Sequence, residues 1–392
     1  MFEVGALLIS PLLELWVLIA HLVLPASNVD GYVRDSKGKP LKYRLNGIPV
    51  LVLTVVVWAG LCKAGLLPWD YLYTHRWPTC FSACMVGLLY SAYLVAVAPP
   101  VTSSSLTDLF LGRTLNPRPR CSLPLPAVLG GGSFSRVLDI KMYLYLIGAV
   151  HLELNILSYA AAHYLLAHDP NSSSSNANPG VALAAALLSW FVVEYLYFEN
   201  VHLFTYDLFA ERVGFKLAWG CLCFYPFFYP IGFLAVVELP DPGRRASYYA
   251  FAAAVYLAGW GLSRAANLQK FWFKQVRSGK ASNRSGDGSR GEASAREVAI
   301  RSADGKHELF CGGLWGVARH VNYVGEILEA VGIALAVGYP TSTLLPWLYP
   351  LYYVALLTAR ERDDDRRCRE KYGALWEEYC RRVPYRLVPY VY

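Results

Sequence analysis

The stretch MYLYLIGAVHLELNILSYAAAHYLL, residues 142–166, stays apolar for longer than the ~20 residues an α-helix needs to cross a bilayer. Near its middle stand His151, Glu153 and Asn155. An ionisable side chain at membrane depth is costly enough to suggest a function. Spacing by two places puts the three on different faces of a helix, which argues against a single cluster. Comparable apolar blocks lie near 5–25, 47–67, 79–98, 180–199, 215–237 and 247–263. A last block, 327–358, bends at Gly338-Tyr339-Pro340 and is long enough for a helical hairpin. The pattern predicts an all-α polytopic membrane protein with about nine or ten transmembrane helices. Composition agrees, because 55% of the 392 residues are hydrophobic and only 17% are charged, too apolar for an ordinary soluble chain. The first block has no basic n-region and reads as a span, not a removed signal. No internal repeats stand out, which disfavours a transporter.

Lys and Arg set the expected orientation. Loops at 26–46 and 99–141 and the segment 264–319 are rich in both and share one parity, whereas the loops between them are nearly devoid of basic charge. With nine spans the C-terminus is cytosolic, and Asn171-Ser172-Ser173 becomes a lumenal glycosylation acceptor. Topology and anionic lipid account for the net charge of +7, and no nucleic-acid module is legible. The nine cysteines form no Cys-x-x-Cys group, so neither a disulfide framework nor a metal site is expected. Residues 1–263 are expected to form one part and 264–392 another, with a flexible Ser-, Gly- and Arg-rich insert at about 278–305. Asn46-Gly47, before the second span, reads as a turn.

GGLWGVARHVNYVG, residues 312–325, places Trp315, Arg319, His320, Asn322 and Tyr323 close together, with glycines where a planar ligand can approach the backbone. It reads as a cofactor clamp; the plainer reading is an interfacial Trp-Tyr-Arg collar. Upstream, Lys270 and Lys274 lie one helical turn apart and can present two ammonium groups on one face.

LTDLFLGRTLNPR, residues 106–118, strongly resembles the first motif of the ergosterol-biosynthesis sterol reductase family, which includes sterol C-14, C-7 and C-24(28) reductases and the lamin B receptor. RDDDRRCREKYG, residues 362–373, resembles the family's second motif, Arg-Asp-x-x-x-Cys-x-x-Lys-Tyr-Gly, with one residue more between Arg and Cys. Counting from Arg362 selects Asp363 as the family's cofactor-site aspartate; counting back from Cys368 selects Asp364. The register from Cys368 continues to Tyr379, so Asp364 is preferred and Asp363 stays open. Leu138 to Met142 and TYDLFAERVGF, residues 205–215, look most like the C-24(28) branch, whereas the clamp looks like the ring reductases. Tyr229-Pro230-Ile231-Gly232 departs from the ring-reductase pattern.

The resemblance implies an NADPH-dependent reduction of a sterol carbon–carbon double bond in the endoplasmic reticulum membrane, with a C-terminal cytosolic cofactor-binding region. It implies that Lys270, Lys274, Trp315, Asn322, Tyr323, Asp364, Cys368, Lys371, Tyr372 and Tyr379 line the cofactor, with Phe310 as a weaker match. Glu199 and Asp207 are the candidates for the sterol end of the pocket; the plainer reading of Asp207 is a helix N-cap. An isolated alkene must be protonated before hydride adds, and the proton-donor candidates are Asp364, Tyr323 and Glu199. The expected partners are the sterol and membrane lipid. Two other readings stand beside this one. Arg-His-x-Asn-Tyr before a C-terminal helical hairpin is similar to the isoprenylcysteine methyltransferase group, and a non-catalytic sterol-binding receptor is the non-enzymatic alternative.

Overall fold

The computed structural model describes residues 4–124, 133–169, 176–277 and 299–392. The chain divides into two compact units, Met1–Asp241 and Pro242–Tyr392. The boundary expected at 263/264 falls inside a continuous helix, Ala246–Arg277.

Among the described residues of the first unit, five helical segments are long and apolar enough to cross a membrane: Gly5–Val23, Arg76–Ala96, Ile140–Ala167, Pro179–Tyr197 and Phe215–Leu234. Gly47–Lys63 is a shorter apolar helix. Ile140–Ala167 is the hub, since 78% of its most apolar window is buried within the protein, against 33–56% for the other four. A helix that is hydrophobic all round belongs in such a position. Its three polar residues do part company. Glu153 Oε1 accepts a hydrogen bond from Ser189 Oγ at 2.9 Å on the helix Pro179–Tyr197. Asn155 Nδ2 donates to the Pro226 carbonyl at 2.9 Å, and His151 meets the edge of Phe227. Gly148 lets this hub approach the π-helical turn Gly220–Phe224, where an added Cβ would come within 2.7 Å of the Cys221 carbonyl.

The loops at 26–46 and 99–141 are more ordered than a helix-only reading predicts. Each contains an antiparallel hairpin: Ser27–Arg34 with Pro40–Leu45, where Asp30 faces Lys42, and Arg120–Pro124 with Ser133–Val137. Asn46-Gly47 is not a free turn, because Gly47 opens the helix Gly47–Lys63 and Asn46 is buried against His21. The 106–118 motif works as a clasp. Asp108, buried, accepts from Val101 N, Thr102 N and Arg113 Nε at 2.8–3.0 Å, and Arg113 donates onward to the Val95 and Ala98 carbonyls at the end of the helix Arg76–Ala96. Gly112, at φ +86°, touches Gly214 backbone to backbone, which brings the 106–118 and 205–215 segments together.

The second unit contains Ala246–Arg277, the hairpin Ala299–Arg301/Glu308–Phe310, a 3-10 turn Gly313–Gly316, and the helices Val321–Ala336, Leu345–Tyr372 and Ala374–Arg382. Residues 299–305 of the expected flexible insert are therefore strand and turn, while 278–298 and the 171–173 sequon lie outside the described residues. Ala246–Arg277 and Val321–Ala336 pack at backbone distance: a Cβ on Gly325 would stand 2.5 Å from Ser263 N and 2.6 Å from the Gly259 carbonyl. Small residues permit such close crossings in membrane helices. The spans expected at 247–263 and 327–358 are helical, but they do not join the five. The first runs on into the charged 264–277 end, and Leu345–Tyr372 carries a dense run of charge in its second half.

Candidate functional site

The second unit gathers most of the residues singled out in the sequence. Trp315 is held in place from two sides: its Nε1 donates to the Ala266 carbonyl at 2.7 Å, and its carbonyl accepts the Tyr379 hydroxyl at 3.3 Å. The Lys270 ammonium stands 4.4 Å from the Trp315 ring centroid, a cation–π contact. Phe310 stacks on Phe273 at 4.9 Å and packs beside Trp315. Gln269 Oε1 accepts from Leu314 N at 3.1 Å and lies against Gly313, which adopts φ +54°.

Asp364 and Cys368 are one turn apart on the helix Leu345–Tyr372 and face this wall. Asp364 Oδ2 is 3.7 Å from His320 Nε2, and Cys368 Sγ is 3.9 Å from the same oxygen. Burial pushes the Cys368 thiol up to about 12, with the neighbouring Asp364 charge adding to it. Asp363 turns elsewhere, pairing with Arg366 and with Arg367 on its own helix. Burial holds Lys274 well below the usual ammonium range, and nearby Lys270 and Lys371 push it further down while Asp364 opposes them. Lys371 also approaches the Tyr372 ring at 4.8 Å, and Tyr372 meets His307 edge to face. Asn322 Nδ2 donates to Asn267 Oδ1 at 3.3 Å, while its own Oδ1 is buried without a hydrogen-bond partner.

Three features thus suit an anionic, planar ligand with an amide. Lysines crowd together around one carboxylate, indole and phenyl faces lie beside them, and a buried acceptor is unspent. Tyr323 stacks on His320 at 4.9 Å with an interplanar angle of 14°. Burial pushes the His320 imidazole down to about 4, with Lys270 and Arg319 reinforcing it, so His320 is neutral at pH 7.

Sequence reasoning named His320 in the clamp but gave it no role; its i,i+3 spacing from Tyr323 is the signal for their contact. One residue was missed. Asp365 is the structural centre behind the site: it accepts from Arg319 Nη1 at 3.1 Å and Trp376 Nε1 at 3.0 Å, and it pairs with Arg369 and Arg386. Arg319 also reaches Cys380 Sγ and the Pro384 carbonyl.

Glu199 and Asp207 belong to the first unit. Glu199 Oε1 accepts from Gly47 N at 2.5 Å, capping the helix Gly47–Lys63 from a distant segment, and burial pushes its carboxyl up to about 7. Asp207 is not an N-cap, since Thr205 holds that position; its carbonyl accepts the fully buried Lys141 ammonium at 2.8 Å.

A polytopic helical membrane protein carrying a lysine-rich aromatic cradle is the class these features define. Comparison narrows it. The family model for ergosterol biosynthesis, ERG4/ERG24, matches residues 12–392, and the chain belongs to that family, a family of sterol reductases. It is 32% identical over 396 residues to mouse Delta(14)-sterol reductase TM7SF2, covering 97% of this chain and 85% of that one. It is 28% identical over 404 residues to Delta(14)-sterol reductase ERG24 of Saccharomyces cerevisiae, covering 95% and 81%. It is 30% identical over 386 residues to chicken Delta(14)-sterol reductase LBR, covering 95% of this chain and 54% of that one.

Proposed function

We propose that the protein reduces the Δ14 double bond of a sterol intermediate with NADPH in the endoplasmic reticulum membrane, with its C-terminus on the cytosolic side. The family match over residues 12–392 and relatives named as Delta(14)-sterol reductases support the sterol and the ring position. They outweigh the C-24(28) likeness of residues 138–142 and 205–215, and they disfavour the methyltransferase and receptor readings. The observation that carries the cofactor is the crowding of Lys270, Lys274 and Lys371 about Asp364 beside Trp315.

When bound, NADPH supplies the hydride. The lysines would neutralise its phosphates, Trp315 and Phe310 would bound its planar parts, and the unspent Asn322 Oδ1 would accept an amide N–H. Cys368, Tyr372 and Tyr379 pack in one apolar cluster with Trp376 and Val383 and would form the floor beneath the cofactor. Reduction needs a proton on one alkene carbon and hydride on the other. Asp364 and Tyr323, both beside His320, are the proton-donor candidates in this unit, and Glu199 is the candidate in the other. His320 holds its Nε2 toward Asp364 and its ring against Tyr323, and so would position both candidates.

Incubation of membranes containing the protein with NADPH and separate Δ14, Δ7 and Δ24(28) sterols tests the reading. Saturation at C-14 alone is expected. Reduction only of the side chain would overturn the ring assignment, and no reduction of any sterol by folded protein would overturn the enzyme.

A further inference from the structure

A second charged site lies in the first unit. A cavity of about 360 Å³ opens between the two hairpins and is lined by Lys42, Arg44, Arg118 and Arg136, with Asp139 as its one carboxylate. Part of this charge is occupied with structure. Arg44 Nε donates to the His21 carbonyl at 2.9 Å, and Arg136 Nη1 to the Leu22 carbonyl at 2.8 Å, at the end of the helix Ile9–Val23. Arg118 lies 3.5 Å from Asp139, donates to the Lys42 carbonyl, and covers the Tyr43 ring at 5.0 Å.

Cations predominate in the described lining. A guanidinium carries five N–H donors, and a contact with a carbonyl leaves its positive charge in place. Among the described lining residues four are cations and one is a carboxylate, and Asp30 faces Lys42 across the hairpin. The crowding is felt: burial lowers Arg44 from the usual guanidinium range, and the charge of Arg136 lowers it further. Lys42 is exposed at the rim. A fold that holds like charges together in a concave site is suited to an anion with several acceptor oxygens.

The position indicates where such an anion would come from. The apolar helix Ile9–Val23 ends at this rim, and Gly47–Lys63 and Ile140–Ala167 begin near it, which is where a bilayer gives way to headgroups. We propose that this cavity binds a phosphate monoester, presented by an anionic lipid headgroup. Phosphate in solution offers the same chemistry, and the test separates the two sources. The inference does not depend on the proposed reaction, since none of these residues belongs to the cofactor cradle.

The experiment is lipid binding to the full-length protein by native mass spectrometry, with phosphatidic acid against phosphatidylcholine, followed by competition with inorganic phosphate. Phosphatidic acid is expected to bind about tenfold more tightly than phosphatidylcholine, and Lys42→Gln with Arg136→Gln to remove that preference. If the double variant fails to fold, Lys42→Gln alone, at an exposed position, is expected to weaken the preference and Lys42→Arg to keep it. Displacement of the lipid by inorganic phosphate supports a site that reads the phosphate itself, and lipid binding that resists it supports recognition of the whole headgroup. Equal binding of the two lipids with stabilisation by inorganic phosphate overturns the lipid source. Equal binding without such stabilisation, or a preference untouched in Lys42→Gln and in the folded double variant, overturns the site.

Discussion

Asp364 Oδ2 lies 3.7 Å from His320 Nε2, and the His320 ring stacks on Tyr323, so three side chains from two segments meet at one point. The aspartate immediately before it, Asp363, is spent on two arginines of its own helix. Replacing the first should damage the reaction and replacing the second should not. Asp364→Asn is expected to lower kcat/KM for sterol reduction by about 100-fold, and Asp363→Asn to stay within about threefold of the parent. The reverse order in a membrane assay would return the role to Asp363.

Lys274 should make nucleotide binding depend on pH. Its charge is disfavoured by burial and by Lys270 and Lys371, and an incoming phosphate restores the charged form. Binding therefore takes up a proton, and affinity for NADPH should tighten as pH falls through the depressed lysine range. Calorimetry in buffers of different ionisation enthalpy measures that uptake. Lys274→Met should remove the lysine share of it; unchanged uptake in this variant would count against the assignment.

Breaking the support behind the cradle should cost stability before chemistry. Arg319 and Asp365 are both buried and lie 3.1 Å apart. Removing one partner strands the other, so Arg319→Met is expected to destabilise the protein by about 3–5 kcal/mol. Thermal unfolding in detergent should show it, and a melting temperature equal to the parent's would refute the estimate.

Gly325 and Gly261 offer a matched pair. A Cβ at Gly325 would press on Ser263 N and on the Gly259 carbonyl, whereas nothing lies within 4 Å of one at Gly261. Gly325→Ala should therefore destabilise by about 1–3 kcal/mol, and Gly261→Ala should be neutral or stabilise by up to about 1 kcal/mol. Unfolding measured on the two variants side by side decides it.

Local pattern made much of this legible. Runs of apolar residues located the helices of the first unit, and the one-turn spacing of Lys270 and Lys274 anticipated ammonium groups on one helix. Aligning a motif with an extra residue favoured Asp364 and left Asp363 open. Helical phase is in keeping with that preference, since Asp364 shares a face with Cys368 while Asp363 shares one with Arg367. Asp365 stayed hidden because its partners Arg319, Trp376 and Arg386 lie in three other segments, and no short window contains them. Glu199 was noticed, but its capping of Gly47 depends on a tertiary contact across 152 positions.

One feature of the clamp bears on how the molecule is made. The backbone N–H groups of Arg319 and His320 donate to the carbonyls of Tyr385 and Arg386, and the Arg319 side chain donates to that of Pro384. These acceptors leave the ribosome well after the clamp itself. During synthesis the clamp waits for these three carbonyls, and a chain stopped before Pro384 would leave the two backbone donors unmatched, although Arg319 would still have Asp365. The last nine residues therefore close the clamp from behind, and its backbone is complete only once they are in place.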